Sequence, residues 1–234
     1  MNRTFSPVWI LKAFAKIIPY LGVTIGIMVG VIVCGLLIAL LLVKGTVSKR
    51  KLPRVLAFGY IAIMRCTPAI VLLFIVFYGV PKLLLTAFGI NINFLPKAVA
   101  VITALSLLYA SSLAEIIRSA YLSVNKGQYE AAVSIGLSRF QALYRIVAPQ
   151  AFVIALPNLG NSLISLLKEG SLAYTIGLID SMGAGNIMIS LNYGGYALET
   201  YLALAIIYWM LTFIIEKAFA QLENVHSNGI RNGH

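Results

Sequence analysis

The chain has 234 residues, 60% of them hydrophobic and only 11% charged, with a formal charge of +11. A mean hydropathy of +0.93 lies far above that of water-soluble domains, so bilayer is the solvent this sequence suits. Nucleic acid is excluded as a partner, because Lys and Arg cluster in short loops between apolar blocks, the pattern that fixes orientation in a membrane.

About 20 apolar residues cross the hydrocarbon as a helix, and that ruler predicts five crossings, over 17–43, 67–88, 97–117, 155–178 and 198–216. The expected fold is all-α: a polytopic membrane protein with five transmembrane helices, one domain over 1–234, and no room for an added soluble domain. Arg3, Lys12 and Lys16 precede the first apolar run. The run outlasts a signal-peptide core and ends in LLVKGTVSKRK, not at a small-residue cleavage site, so it is expected to stay attached. Within it Gly22, Gly26 and Gly30 recur every four residues. They mark either a face where another helix backbone approaches closely or glycines tolerated against lipid. Cys34 and Cys66 show no metal or disulfide spacing and read as packing residues.

A second crossing that entered at Val55 would carry Arg65 about 15 Å deep. Thr67-Pro68 is a better start, with the Thr67 hydroxyl as cap and proline at the first helical position. Residues 52–64 then form a helix along the membrane surface. At the end of the third crossing, Glu115 and Arg118 share a helix face and predict an ion pair. In the loop 118–150, Glu130 to Ile135 suits a helix and Gly136 a left-handed terminating residue, while Ser138 with Gln141 forms a capping box for a second helix. Phe140, Leu143, Tyr144 and Val147 recur at i, i+3, i+4 and i+7 opposite Arg139, Gln141 and Arg145, which predicts an amphipathic elbow. Pro149 is expected to end it.

Five crossings put the termini on opposite sides. Lys44, Lys49, Arg50, Lys51 and Arg54, then Arg118, Lys126, Arg139 and Arg145, then Lys217 and Arg231, lie on one side; Arg3, Lys12, Lys16, Lys82 and Lys97 lie on the other. The excess predicts an external N-terminus and a cytoplasmic 118–150 loop and C-terminus.

No catalytic set, metal site or cofactor motif is present. His226 and His234 sit in the polar tail, and no G-x-x-x-x-G-K-[ST] occurs, so any ATP-derived energy must come from another chain. Lys168 and Glu169, near the middle of the fourth apolar block, are the strongest chemical candidates. Ionisable residues at that depth belong to a pathway or gate, or form a self-neutralised structural pair.

EAAVSIGLSRFQALYRIVAP, residues 130–149, resembles the cytoplasmic docking loop of ABC importer permeases. RCTPAIVLLFIVFYGVP, YASSLAEIIRSAYLSVNKGQYEAA and ALPNLGNSLISLLKEGSLAYTIG resemble three further motifs of the polar amino acid permease family. The likeness runs over about residues 20–220. Departures are Cys66 for Gly, Leu72 for Gln, Asn125 for Pro, Ala148 for Leu and Glu169-Gly170 for Asp-Thr. The resemblance implies a non-catalytic membrane subunit of an ATP-driven importer, working with a cytoplasmic ATPase dimer, an external solute-binding protein and a second permease subunit, identical or homologous, in membrane lipid. It places ATPase docking on Glu130, Ala131, Ala132, Gly136, Ser138, Arg139 and Phe140. The substrate pathway or gate is expected at Lys168, Glu169, Thr67 and Asn161. NYGGYALETYLALAIIYW is similar to permeases for cystine and related amino acids. The alternative, a secondary amino acid transporter, would need internal coupling sites and often a repeated half, and no convincing repeat is visible.

Overall fold

A helix keeps going until something stops it, and in this chain few residues do. The computed structural model describes residues 5–231, with side chains from 5 to 225. Arg3 and His234, and the side chains of His226 and Arg231, lie outside the described residues. All regular elements described are helical, and five stretches are long and apolar enough to cross a membrane: Pro7–Thr46, Ala69–Phe88, Lys97–Ser123, Arg139–Ile176 and Ala197–Val225. These are the five expected crossings, several of them extended beyond the apolar run.

The first stretch is α1 (Pro7–Ile17), a 3-10 turn over Ile18–Tyr20 that holds Pro19, and α2 (Leu21–Thr46). At 1.5 Å per residue α2 alone reaches about 39 Å, enough to cross without α1. α3 (Lys51–Cys66) is a separate helix, as expected from the cost of burying Arg65. The chain then extends, and α4 (Ala69–Phe74) starts one residue later than expected: Pro68, at φ −61° and ψ 138°, is the flanking residue, with no side-chain cap. Thr67 is therefore not the cap, because Pro68 takes the extended well that its ring equally allows.

α4 runs through a π turn, Ile75–Gly79, into α5 (Val80–Phe88). α6 is Lys97–Ser123, α7 Lys126–Ser134 and α8 Arg139–Ala142. A second π turn, Leu143–Val147, joins α8 to α9 (Ala148–Gly170). Each π turn ends two residues before a proline, Pro81 or Pro149. Proline offers no N–H to the carbonyl four residues back and its ring presses on it; widening the preceding turn by one residue relieves that clash. Pro149 thus does not end the elbow helix. It sits in the first turn of α9, where proline is well tolerated. A 3-10 turn, Ser171–Ile176, α10 (Ser181–Leu191) and α11 (Ala197–Arg231) complete the chain.

The chain resolves into two compact units, one from Met1–Gly35, Thr67–Tyr109 and Ile164–Phe213, the other from Leu36–Cys66, Ala110–Leu163 and Ile214–His234. In the first, Ala13 and Ile17 of α1 pack with Ala184 and Met188 of α10 and Ala203, Leu204 and Ile207 of α11. Truncating such a core isoleucine to alanine costs about 2–5 kcal/mol. Polar contacts fasten α1 to the start of α11: the Ser6 N–H donates to Glu199 Oε1 at 2.9 Å, and Trp9 Nε1 to Thr200 Oγ1 at 3.2 Å. The Trp9 ring stacks on Tyr196 at 3.9 Å. The glycine repeat of α2 divides. A Cβ on Gly30 would come within 2.8 Å of Ile102, whereas Gly22 and Gly26 meet nothing within 4 Å, so close packing holds for Gly30 alone. In the second unit α3 folds back on the end of α2, where a Cβ on Gly45 would meet the Pro53 carbonyl and Ala57.

Candidate functional site

The elbow belongs to the second unit and is held by local hydrogen bonds that its sequence specifies. The Asn125 side chain caps α7 by accepting from Gly127 N–H at 2.8 Å. α7 ends when Gly136 turns to φ +94°, and the Leu137 N–H then reaches the Ala132 carbonyl at 3.2 Å, the closing bond of a Schellman-type stop. The expected capping box is complete: Gln141 N–H donates to Ser138 Oγ at 3.2 Å, and Ser138 N–H to Gln141 Oε1 at 2.9 Å.

The face buried by this elbow differs from the expected one. Ala132, Ala142 and Val147 are buried, whereas Phe140 and Tyr144 are 74% and 69% exposed and Ile135 81%. The π turn is the cause. Its i to i+5 hydrogen bonding widens the turn and sets Val147 beneath Ala142 on the buried side, while Phe140 and Tyr144 face outward with parallel rings 6.2 Å apart. Of the expected docking residues, Glu130, Ala131, Gly136, Ser138, Arg139 and Phe140 are exposed, and Ala132 supports them from beneath. The elbow therefore offers an apolar, aromatic surface flanked by Arg139 and Arg145, on a scaffold with two capped helix ends.

The Glu115–Arg118 ion pair forms as expected, with Arg118 Nε donating to Glu115 Oε2 at 3.1 Å and the guanidinium 5.6 Å from the Phe58 ring. Lys168 and Glu169, in the last turn of α9 within the first unit, are not bridged to each other; Lys168 is exposed and Glu169 half-buried. Adjacent residues on a helix point about 100° apart, which separates the two charges. Ser165, also exposed, lies on the same face of α9 as Lys168, and one turn earlier along the helix stands exposed Asn161, which falls in the second unit. Thr67 falls in the first.

Sequence reasoning missed Asp180. Its side chain is fully buried before α10 and caps that helix, with Oδ1 accepting from Gly183 N–H at 2.8 Å. Its other oxygen has no hydrogen-bond partner among the described residues, and burial pushes the carboxyl above its ordinary range, against the backbone N–H groups that favour the charged form. An Asp ahead of Ser-Met-Gly is an N-cap signal; the burial came from packing that no local pattern announces. Beside it, Ser181 Oγ and Thr24 Oγ1 lie 2.9 Å apart and tie α10 to α2.

Residues 22–224 match the family model described as "Binding-protein-dependent transport system inner membrane component". The L-cystine transport system permease protein TcyL of Bacillus subtilis (strain 168) is 40% identical over 223 residues, 95% of this chain and 92% of that one. The probable amino-acid permease protein YxeN of the same organism is 40% identical over 212 residues, 88% of this chain and 89% of its own. Among solved structures, an amino acid ABC transporter with histidines superposes with a TM-score of 0.81 at 30% identity, over 95% of this chain and 99% of that one.

Proposed function

This chain belongs to the family of binding-protein-dependent transport system inner membrane components, and on that premise we propose that it is one permease subunit of an ATP-driven importer of polar amino acids, with cystine the first solute to test. It is a multi-pass inner-membrane protein of a family whose members are permeases, which fits a non-catalytic membrane component. A cytoplasmic ATPase dimer supplies the energy, an external solute-binding protein delivers the solute, and a second permease copy or homologue completes the pathway. Cystine rests on the 40% identity to TcyL. Neither unit is contiguous, each being assembled from three stretches, which supports reading 1–234 as one permease domain.

One observation carries the mechanism. The helical stretch that begins in the elbow with Arg139 is the same one that carries Lys168 and Glu169 and ends at Ile176. The ATPase grips Ile135, Phe140 and Tyr144, and nucleotide-driven movement of that grip is passed along this continuous helical stretch, which holds a π turn and Pro157, to the charged turn. A zwitterionic amino acid offers both charge signs to an exposed ammonium and a separate, half-buried carboxylate.

The test is uptake into vesicles reconstituted with the ATPase and binding protein. Lys168→Met and Glu169→Gln should each lower cystine uptake by about tenfold, the worth of one charge-assisted contact, with assembly unchanged. Uptake at the unmutated rate in both variants would remove the charged turn from the pathway.

A further inference from the structure

Within the second unit, α2, α6 and α9 diverge enough to leave a cleft of about 580 Å³. α2 contributes Leu36, Leu40 and Lys44 at i, i+4 and i+8, and α6 contributes Ile117 and Tyr121. The space exists because α9 faces it with Ala151 and Ala155, whose methyl groups stop short of the opposite helices. The lining is hydrocarbon along its length and polar at one end, where Lys44 and Tyr121 stand near the ends of α2 and α6 that lead into the basic loops. Neither the Lys44 ammonium nor the Tyr121 hydroxyl has a hydrogen bond or ion pair among the described residues.

Two donors, one of them charged, at the mouth of an apolar slot match a ligand with an anionic head and a hydrocarbon tail. From Leu36 to Lys44 the slot runs about 12 Å. We propose that this cleft binds one acyl chain of an anionic phospholipid from the surrounding leaflet, with its phosphate held by Lys44 and Tyr121. Leu143 and Ala148 also line the cleft, so the lipid packs directly against the turn that joins the elbow to α9. Bound there, it is an integral part of the elbow's support.

Native mass spectrometry of the purified permease complex after detergent exchange tests this, with phosphatidylglycerol and phosphatidylcholine of equal chain length added back in competition. The unmutated complex should keep one phosphatidylglycerol per copy of this chain in preference to phosphatidylcholine. Lys44→Gln, at an exposed position where folding is not at risk, should cut that retention about tenfold, and Ala151→Phe should abolish it by filling the slot. Equal retention of both lipids, unaffected by Lys44→Gln, would mean ordinary boundary lipid and overturn the proposal. Loss of permease association in Ala151→Phe, with lipid retention intact, would overturn it in favour of a second copy seated in the cleft.

Discussion

Asp180 shows what a single buried acid does to the protein's response to pH. Its pKa is raised above the ordinary 3.8 chiefly by burial, so the native chain holds this proton to higher pH than the unfolded chain does. Below the ordinary value both states are protonated and Asp180 contributes no pH dependence. As pH rises past it the unfolded chain ionises first, and stability falls until the native group ionises as well. Asp180→Asn keeps an oxygen for the Gly183 N–H and removes the charge. Thermal melts in detergent should place this variant at or above the unmutated protein near pH 7, with a flatter decline from about pH 4 upward. Asp180→Ala removes the cap as well and should melt below Asp180→Asn by the equivalent of about 1–2 kcal/mol at every pH. An asparagine variant that melted lower throughout would show the carboxylate to be paired and charged in the native state.

The elbow is where reading the sequence went furthest and where it slipped. Ser138, Gln141 and Gly136 act on partners three to five residues away, so the hydrogen bonds at the end of α7 and the start of α8 follow from spacing, whereas the Asn125 cap of α7 was missed. The buried face was not, because it depends on the π turn over Leu143–Val147, and that turn answers to Pro149, which a helical wheel treats as a stop. A proline fits just past a helix end or in the first turn of the next helix equally well. The five crossings were legible from apolar length alone, whereas Asp180 and the division of the Gly22, Gly26 and Gly30 stripe depend on which distant helix lies opposite. At Gly136 the open surroundings make any effect of substitution conformational. Gly136→Val should strain the turn by about 1–3 kcal/mol and Gly136→Asn, which tolerates positive φ better, by less. Solute-stimulated ATPase activity of the assembled complex should follow that order, with Val lowest. Equal activity in both variants would remove the turn's shape from the coupling.

At the scale of the whole molecule, the four long helices α2, α6, α9 and α11 each contribute one part to either unit, so the loops are sorted between the units by the end of the helix they join. The second unit holds twelve of the eighteen Lys and Arg residues, among them all those of the 44–54 and 118–150 loops. If basic loops stay on the cytoplasmic side, the elbow is expected where an ATPase can reach it and the 89–96 loop is expected outside. Single cysteines decide the matter once exposed Cys34 and Cys66 are replaced by alanine. Lys49, Gln128 and Phe94 are exposed and make no side-chain hydrogen bond or ion pair among the described residues that the change would break, whereas Asn125 and Asn192 carry cap or helix-end hydrogen bonds and are better left alone. In intact cells a membrane-impermeant maleimide should modify Phe94→Cys and spare Lys49→Cys and Gln128→Cys until the membrane is opened. Labelling of the latter two in sealed cells would put Phe140 and Tyr144 on the outer surface, beyond any cytoplasmic ATPase, and the coupling mechanism would fail with the orientation.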